Sequence, residues 1–179
     1  MSWFDRRQVL ILPAALAGTA LLGGCFRPML AEGGPSAALL GQIEYPQFND
    51  RFGYYLNESL RDRLGTTRQA AYRLSITTAT AKQDLAIAQD NSVTRISLTS
   101  TADWALYRKG EEGGAAVLSG RAVSQSGYNS TASLFATREA KLDIERRLAR
   151  DLGERIARTV LARAGTLATA GAAAAQPSS

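Results

Sequence analysis

The sequence predicts an α/β chain of the α+β kind: a two-layer sandwich in which a mixed four-stranded sheet carries two helices on one face. Three observations lead there. Tyr72, Leu74 and Ile76 alternate with Arg73, Ser75 and Thr77, the period of a half-buried strand. The alternation resumes over residues 92–109, with Ile96, Leu98, Ala102, Trp104 and Leu106 on one side and Arg95, Ser97, Thr99, Thr101 and Asp103 on the other. Finally, Ile144, Leu148, Leu152, Ile156 and Val160 form the apolar stripe of an amphipathic helix over about residues 137–164.

The elements follow in chain order. Residues 1–24 read as an export signal: a charged start (Asp5, Arg6, Arg7), an apolar stretch over 9–22, then Gly23-Gly24 before Cys25. The uncharged run is interrupted by Pro13 and is short of the ~20 residues that a bilayer-spanning helix needs. Leu22-Gly23-Gly24-Cys25 is similar to a lipobox, which makes Cys25 the lipidation site, and Asp5-Arg6-Arg7-Gln8-Val9-Leu10 is similar to a twin-arginine motif, leaving Sec and twin-arginine export both open. Residues 25–38 would be the lipidated N-terminus and a Gly/Pro/Ser-containing tether to a domain spanning 39–164. A first short strand is expected around 39–45, closed by Pro46.

Asn49 or Asp50 can cap the next helix, whose apolar positions Phe52, Leu56 and Leu60 recur every four residues and which Gly65 can stop. The second strand starts at Tyr72, and the polar stretch 82–91 is ambiguous because Leu85 and Ile87 could prolong it. A strand over 92–109 would span roughly 60 Å at ~3.3 Å per residue, so strong twist, a bulge or a break is expected. The turn at 110–114 leads into 115–128, which returns antiparallel as a long hairpin. On the terminal helix, Asp143/Arg147 and Glu154/Arg158 stand at the favourable i,i+4 spacing. Residues 165–179 read as a low-complexity tail that is expected to be disordered.

Composition excludes more than it selects. The chain has no histidine and one cysteine, so a zinc site, a Cys/His nucleophile pair and a Ser-His-Asp triad are all disfavoured. No metal, cofactor or catalytic role is expected. The 21 Lys+Arg against 16 Asp+Glu suit an anionic partner. The basic residues are scattered rather than gathered with aromatics, which argues against nucleic acid.

Gly24-Cys25-Phe26-Arg27-Pro28, the element order, and Ser126-Gly127-Tyr128-Asn129 followed by Leu134-Phe135-Ala136-Thr137 ahead of the long helix resemble the LPS-assembly lipoprotein family LptE. The chain departs from the family pattern in lacking a glycine after Cys25 and an aromatic near Leu30. The resemblance implies a non-enzymatic, lipid-anchored protein on the periplasmic side of the outer membrane. Such a protein plugs the barrel LptD, helps it assemble and takes part in delivering lipopolysaccharide to the outer leaflet. The alternative is an auxiliary lipoprotein of another envelope lipid-transport complex of the ABC type.

Lipopolysaccharide carries phosphates and carboxylates, for which arginine forks are suited donors. Arg138, placed by the expected helix start against the positive end of its own dipole, is a candidate contact, unless Glu139 simply neutralises it. Arg95, and Arg108 with Lys109 at the hairpin turn, are further candidates, with solvation as their plainer reading. Arg121 is expected to pair with Asp103 across the hairpin, Trp104 to be core, and the row Arg95/Ser97/Thr99/Thr101 to suit a polar barrel lumen.

Overall fold

The computed structural model describes residues 33–87, 93–131 and 133–167. The export signal, Cys25 and its lipidation, and residues 168–179 of the expected tail lie outside the described residues. In chain order the elements are α1 (Pro35–Leu39), β1 (Ile43–Glu44), α2 (Arg51–Leu64), β2 (Tyr72–Ile87), β3 (Val93–Arg108), β4 (Leu118–Asn129) and α3 (Leu134–Ala162). They form one four-stranded sheet of order β1-β2-β3-β4, in which β1 runs parallel to β2 and the other neighbours are antiparallel. This is the expected mixed sheet, with α2 and α3 packed over one face.

Two expectations at the N-terminal side are corrected. The tether does not extend to Ala38, because Pro35 occupies the first helical turn, where its missing N–H costs nothing, and starts α1. Ser36 Oγ donates to the Leu161 carbonyl at 3.0 Å and Leu39 joins the core, so α1 is fastened to the far end of α3. The first strand is accordingly two residues long rather than seven.

Asp50, not Asn49, caps α2: its carboxylate accepts from Gly53 N at 3.3 Å. At the other end Gly65 takes φ 81 and donates to Arg61 O at 2.8 Å, the left-handed stop that a side chain would strain. Leu56, Leu60 and Leu64 are fully buried. They meet Leu74, Ile76, Trp104 and Leu106 of the sheet and Leu152, Ile156 and Val160 of α3 in one core cluster.

Where α2 crosses α3, Gly153 is the point of closest approach: a Cβ there would lie 2.8 Å from the Leu56 carbonyl oxygen. Ser59 Oγ donates to Arg150 O at 2.9 Å, and the Arg63–Glu154 and Arg150–Glu58 pairs fringe the same seam.

The ambiguous polar stretch prolongs β2 through Ile87, with register shifts against β3 between Asp84 and Ile87. Of the departures expected in so long a strand pair, a bulge is the one present, at the far end of β2. The return strand begins at Leu118, three residues later than expected. Helix α3 starts three residues earlier than expected, at Leu134, because Ser133 Oγ accepts from Ala136 N at 3.3 Å and forms the cap. At the C-terminal side Ala164 and Leu167 are buried in the main core, so the chain is still packed where the sequence suggests a tail.

Candidate functional site

The pleat of β3 separates two sets of residues. Ile96, Leu98, Ala102, Trp104 and Leu106 are buried under the helices, as expected. Ile96 and Leu98 form with Ile144 and Leu148 a second, smaller cluster toward the start of α3. The alternate positions face away from the helices, and among the described residues no helix covers them. Register brings Ser75, Thr77, Ala79 and Ala81 of β2, Ser97, Thr99 and Thr101 of β3, and Ser119 and Gln125 of β4 onto this uncovered face.

Its chemistry is mainly hydroxyl and amide, with Gln125 Nε2 donating to Ser97 Oγ at 3.0 Å, interrupted by the alanines of β2 and by the exposed Val123 opposite Thr101. Its central charges cancel. Arg121 donates to both oxygens of Asp103, at 2.6 and 3.0 Å, the cross-hairpin pair that the sequence suggests. The guanidinium holds the Asp103 carboxyl below its ordinary pKa and is itself raised.

The four candidate cations do not converge. Arg95 and Arg108 stand at opposite ends of β3, 13 residues or roughly 40 Å apart at about 3.3 Å per residue. Lys109 is committed at its own end: its ammonium lies 3.2 Å from Glu44 Oε2, and Glu44 also takes Arg73 at 3.0 Å. The Lys109 hydrogen bond is the chief cause holding the Glu44 carboxyl below the usual range. Lys109 thus belongs to a fastening of β1 to the hairpin, and Arg108 stands at that same end of β3, away from Arg95.

Arg138 lies toward the Arg95 end of the sheet. Arg95 pairs in register with Asn129, and Thr131, two residues further on, donates its backbone N–H to Thr137 Oγ1 at 3.0 Å, beside Arg138. The two arginines lie at the same end on opposite faces of the sheet, Arg95 on the uncovered face and Arg138 in the helix layer. Both side chains are exposed, with no ion pair among the described residues. Because α3 begins at Leu134, Arg138 is the fifth helical residue, past the first turn where the dipole is strongest, so the dipole argument for it does not hold. What marks Arg138 out is the absence of a carboxylate partner on a helix where Arg147, Arg155 and Arg158 each have one.

Sequence reasoning missed the apolar residues at this end. Leu134 is 88% and Phe135 76% exposed, and Leu85, in the bulged stretch opposite Arg95, is 52% exposed. Periodicity misses them because they stand off the stripe that begins at Ile144.

An open groove of about 850 Å³ lies between residues 44–49 and α2. Burial pushes its Tyr45 phenol up to about 12, and the hydroxyl is spent on the Gly65 carbonyl at 2.5 Å. Among the described residues no group of carboxylates could hold a metal ion, and no helix is long and apolar enough to cross a membrane.

An open mixed sheet with both long helices on one face is the architecture of a class of small bacterial lipoproteins. A candidate lipoprotein from Caulobacter crescentus CB15 superposes with a TM-score of 0.59 at 24% identity, covering 74% of this chain and 98% of that one. The rare lipoprotein B of Shewanella oneidensis gives 0.56 at 14% identity, covering 71% and 97%. A minor lipoprotein from Acinetobacter baumannii gives 0.52 at 17%, covering 68% and 89%. No curated protein sequence matches significantly. The lipopolysaccharide-assembly family LptE matches residues 40–160. The chain belongs to the LptE family.

Proposed function

We propose that this protein is an outer-membrane lipoprotein, anchored through Cys25 on the periplasmic side after removal of residues 1–24, that occupies the lumen of an LptD-like barrel. There it assists assembly of the barrel and delivery of lipopolysaccharide to the outer leaflet. The role is non-catalytic. Family membership supports the lipopolysaccharide-assembly part.

The observation that carries the barrel partnership is the uncovered sheet face. A face dominated by serine, threonine and glutamine, with its central charges paired, suits the polar interior of a barrel. Arg95 and Arg138 are the arginines left to meet lipopolysaccharide phosphates; Arg108 and Lys109 are left out of that site by their position.

The test is capture of the full-length, tagged protein from detergent-solubilised outer membrane. The expected partner is a barrel whose electrophoretic mobility changes on heating; recovery of an inner-membrane ATPase system instead would favour the alternative lipid-transport role. Cys25→Ser should release or mislocalise the protein while leaving its circular dichroism spectrum unchanged, since α1 and the core begin well after the anchor. Full outer-membrane retention of that variant would count against lipidation.

A further inference from the structure

We infer that Leu134 and Phe135 form the apolar half of the lipopolysaccharide contact, taking its acyl chains while Arg138 takes phosphate. The inference rests on the lipopolysaccharide reading above. Isolated exposed apolar residues are ordinary on a protein surface, whereas contiguous ones mark a contact. Leu134 and Phe135 are consecutive, are 88% and 76% exposed, and occupy the first two positions of α3.

The fold holds them in place. Ser133 caps the helix, and the Thr131 N–H bond to Thr137 Oγ1 closes the preceding turn. The pair is therefore ordered before any ligand arrives, which lowers the entropic cost of binding.

The order of chemistry along the helix is that of an anionic amphiphile. Arg138 stands four residues after Leu134 and three after Phe135, which places it on their flank one turn, about 5.4 Å, further along. An apolar protein surface would not call for the unpaired guanidinium, and a bare polyanion would not call for the apolar pair. Leu85 beside Arg95 repeats the arrangement at the same end on the other side of the sheet. Lipopolysaccharide joins several acyl chains and more than one phosphate on one headgroup, the chemistry that a guanidinium beside an exposed apolar pair matches.

The experiment uses the full-length chain in phosphatidylcholine nanodiscs, titrated with lipopolysaccharide and with its deacylated, still phosphorylated core, and exposed to phosphatidylglycerol vesicles. The parent should bind lipopolysaccharide more tightly than the deacylated core. Leu134→Gln with Phe135→Gln should weaken lipopolysaccharide binding about tenfold or more and leave binding of the deacylated core unchanged. Leu134→Ala with Phe135→Ala, which keeps helix propensity, should act in the same direction. Thermal melts equal to the parent's are expected for both, as neither side chain is in the core.

If the double variants keep the parent's lipopolysaccharide affinity while Arg138→Glu lowers it, the phosphate reading stands and the acyl-chain inference falls. A parent that binds no lipopolysaccharide removes both. Equal binding of phosphatidylglycerol and lipopolysaccharide, lost equally in the variants, would assign the pair to a membrane surface and overturn the inference.

Discussion

On the helix-covered side β3 presents Ile96, Leu98, Ala102, Trp104 and Leu106; one residue out of step, the same strand presents Ser97, Thr99, Thr101 and Asp103 to the uncovered side. The covered side admits few polar groups, and two sets of these are paired. Thr80 and Ser100 share a hydroxyl hydrogen bond at 2.8 Å, and Ser124 Oγ donates to Asp151 on α3 at 2.6 Å. The uncovered side keeps polar groups in number, yet only one ion pair at its centre. The difference teaches how one strand divides its labour: alternate residues hold the helices, and the others build the polar face on which no helix lies among the described residues.

The largest expected effect is on the covered side. Leu148 is buried in the smaller cluster against Ile96 and Leu98. Leu148→Asp must strand a carboxylate there without a partner, costing several kcal/mol as an order of magnitude. Loss of the cooperative melt, together with loss of barrel capture, is expected; a melt like the parent's would mean that the buried face of α3 is misread.

Gly153→Val should come next. Its side chain would press on the Leu56 carbonyl and Ser59, which are backbone and short side chain and cannot swing away. Overpacking of this kind costs about 1–3 kcal/mol, read as a lowered denaturant midpoint, and Gly153→Ala should show a smaller loss of the same sign.

The Asp151 network sharpens the comparison through pH. Burial alone would raise the Asp151 carboxyl, but the Ser124 hydroxyl and the Arg155 guanidinium outweigh it and hold it below the ordinary carboxylate value. A carboxylate depressed in the folded state contributes stability that is complete above its unfolded pKa and is lost as pH falls through the folded one. Ser124→Ala should therefore cost about 1 kcal/mol at neutral pH, the group being partly exposed, and less at pH values where Asp151 is protonated in both proteins. Melts from pH 7 down through the carboxylate range check this; a cost that does not shrink with acid would exclude the hydrogen bond as its source.

Smallest in stability is the uncovered side. Replacing both Asp103 and Arg121 by serine should leave the melting point unchanged within error, because the pair is solvent-exposed. Asp103→Ser alone, which leaves Arg121 unneutralised, should reduce barrel capture more than the double replacement does. Equal capture by both variants would mean that this face does not meet the lumen.

Much of this division was legible in the sequence because the strand period is 2 and the helix stripe recurs at three and four residues, so each pattern reports directly which side is buried. Trp104, the α3 stripe and the Asp103–Arg121 pair were read in that way. The boundaries were less legible wherever a cap decided them. Ser133 starts α3 a turn before its apolar stripe begins, and Pro35 opens a helix in what reads as a tether.

The candidate site was the least legible part, since placing Arg95 and Arg138 toward one end of the sheet and Arg108 at the other depends on strand register and on the Thr131–Thr137 turn. No local pattern encodes either. The exposed Leu134 and Phe135 carry no period at all, and only burial in the folded chain sets them apart from core residues.

The hydrogen bond from Ser36 to Leu161 fixes where the chain enters the domain: at the C-terminal end of α3. Leu134 begins the other end of that 29-residue helix, roughly 43 Å away at 1.5 Å per residue. The entry of the chain and the exposed Leu134–Phe135 pair are therefore held a full helix length apart, with α3 as the strut that fixes the distance between them.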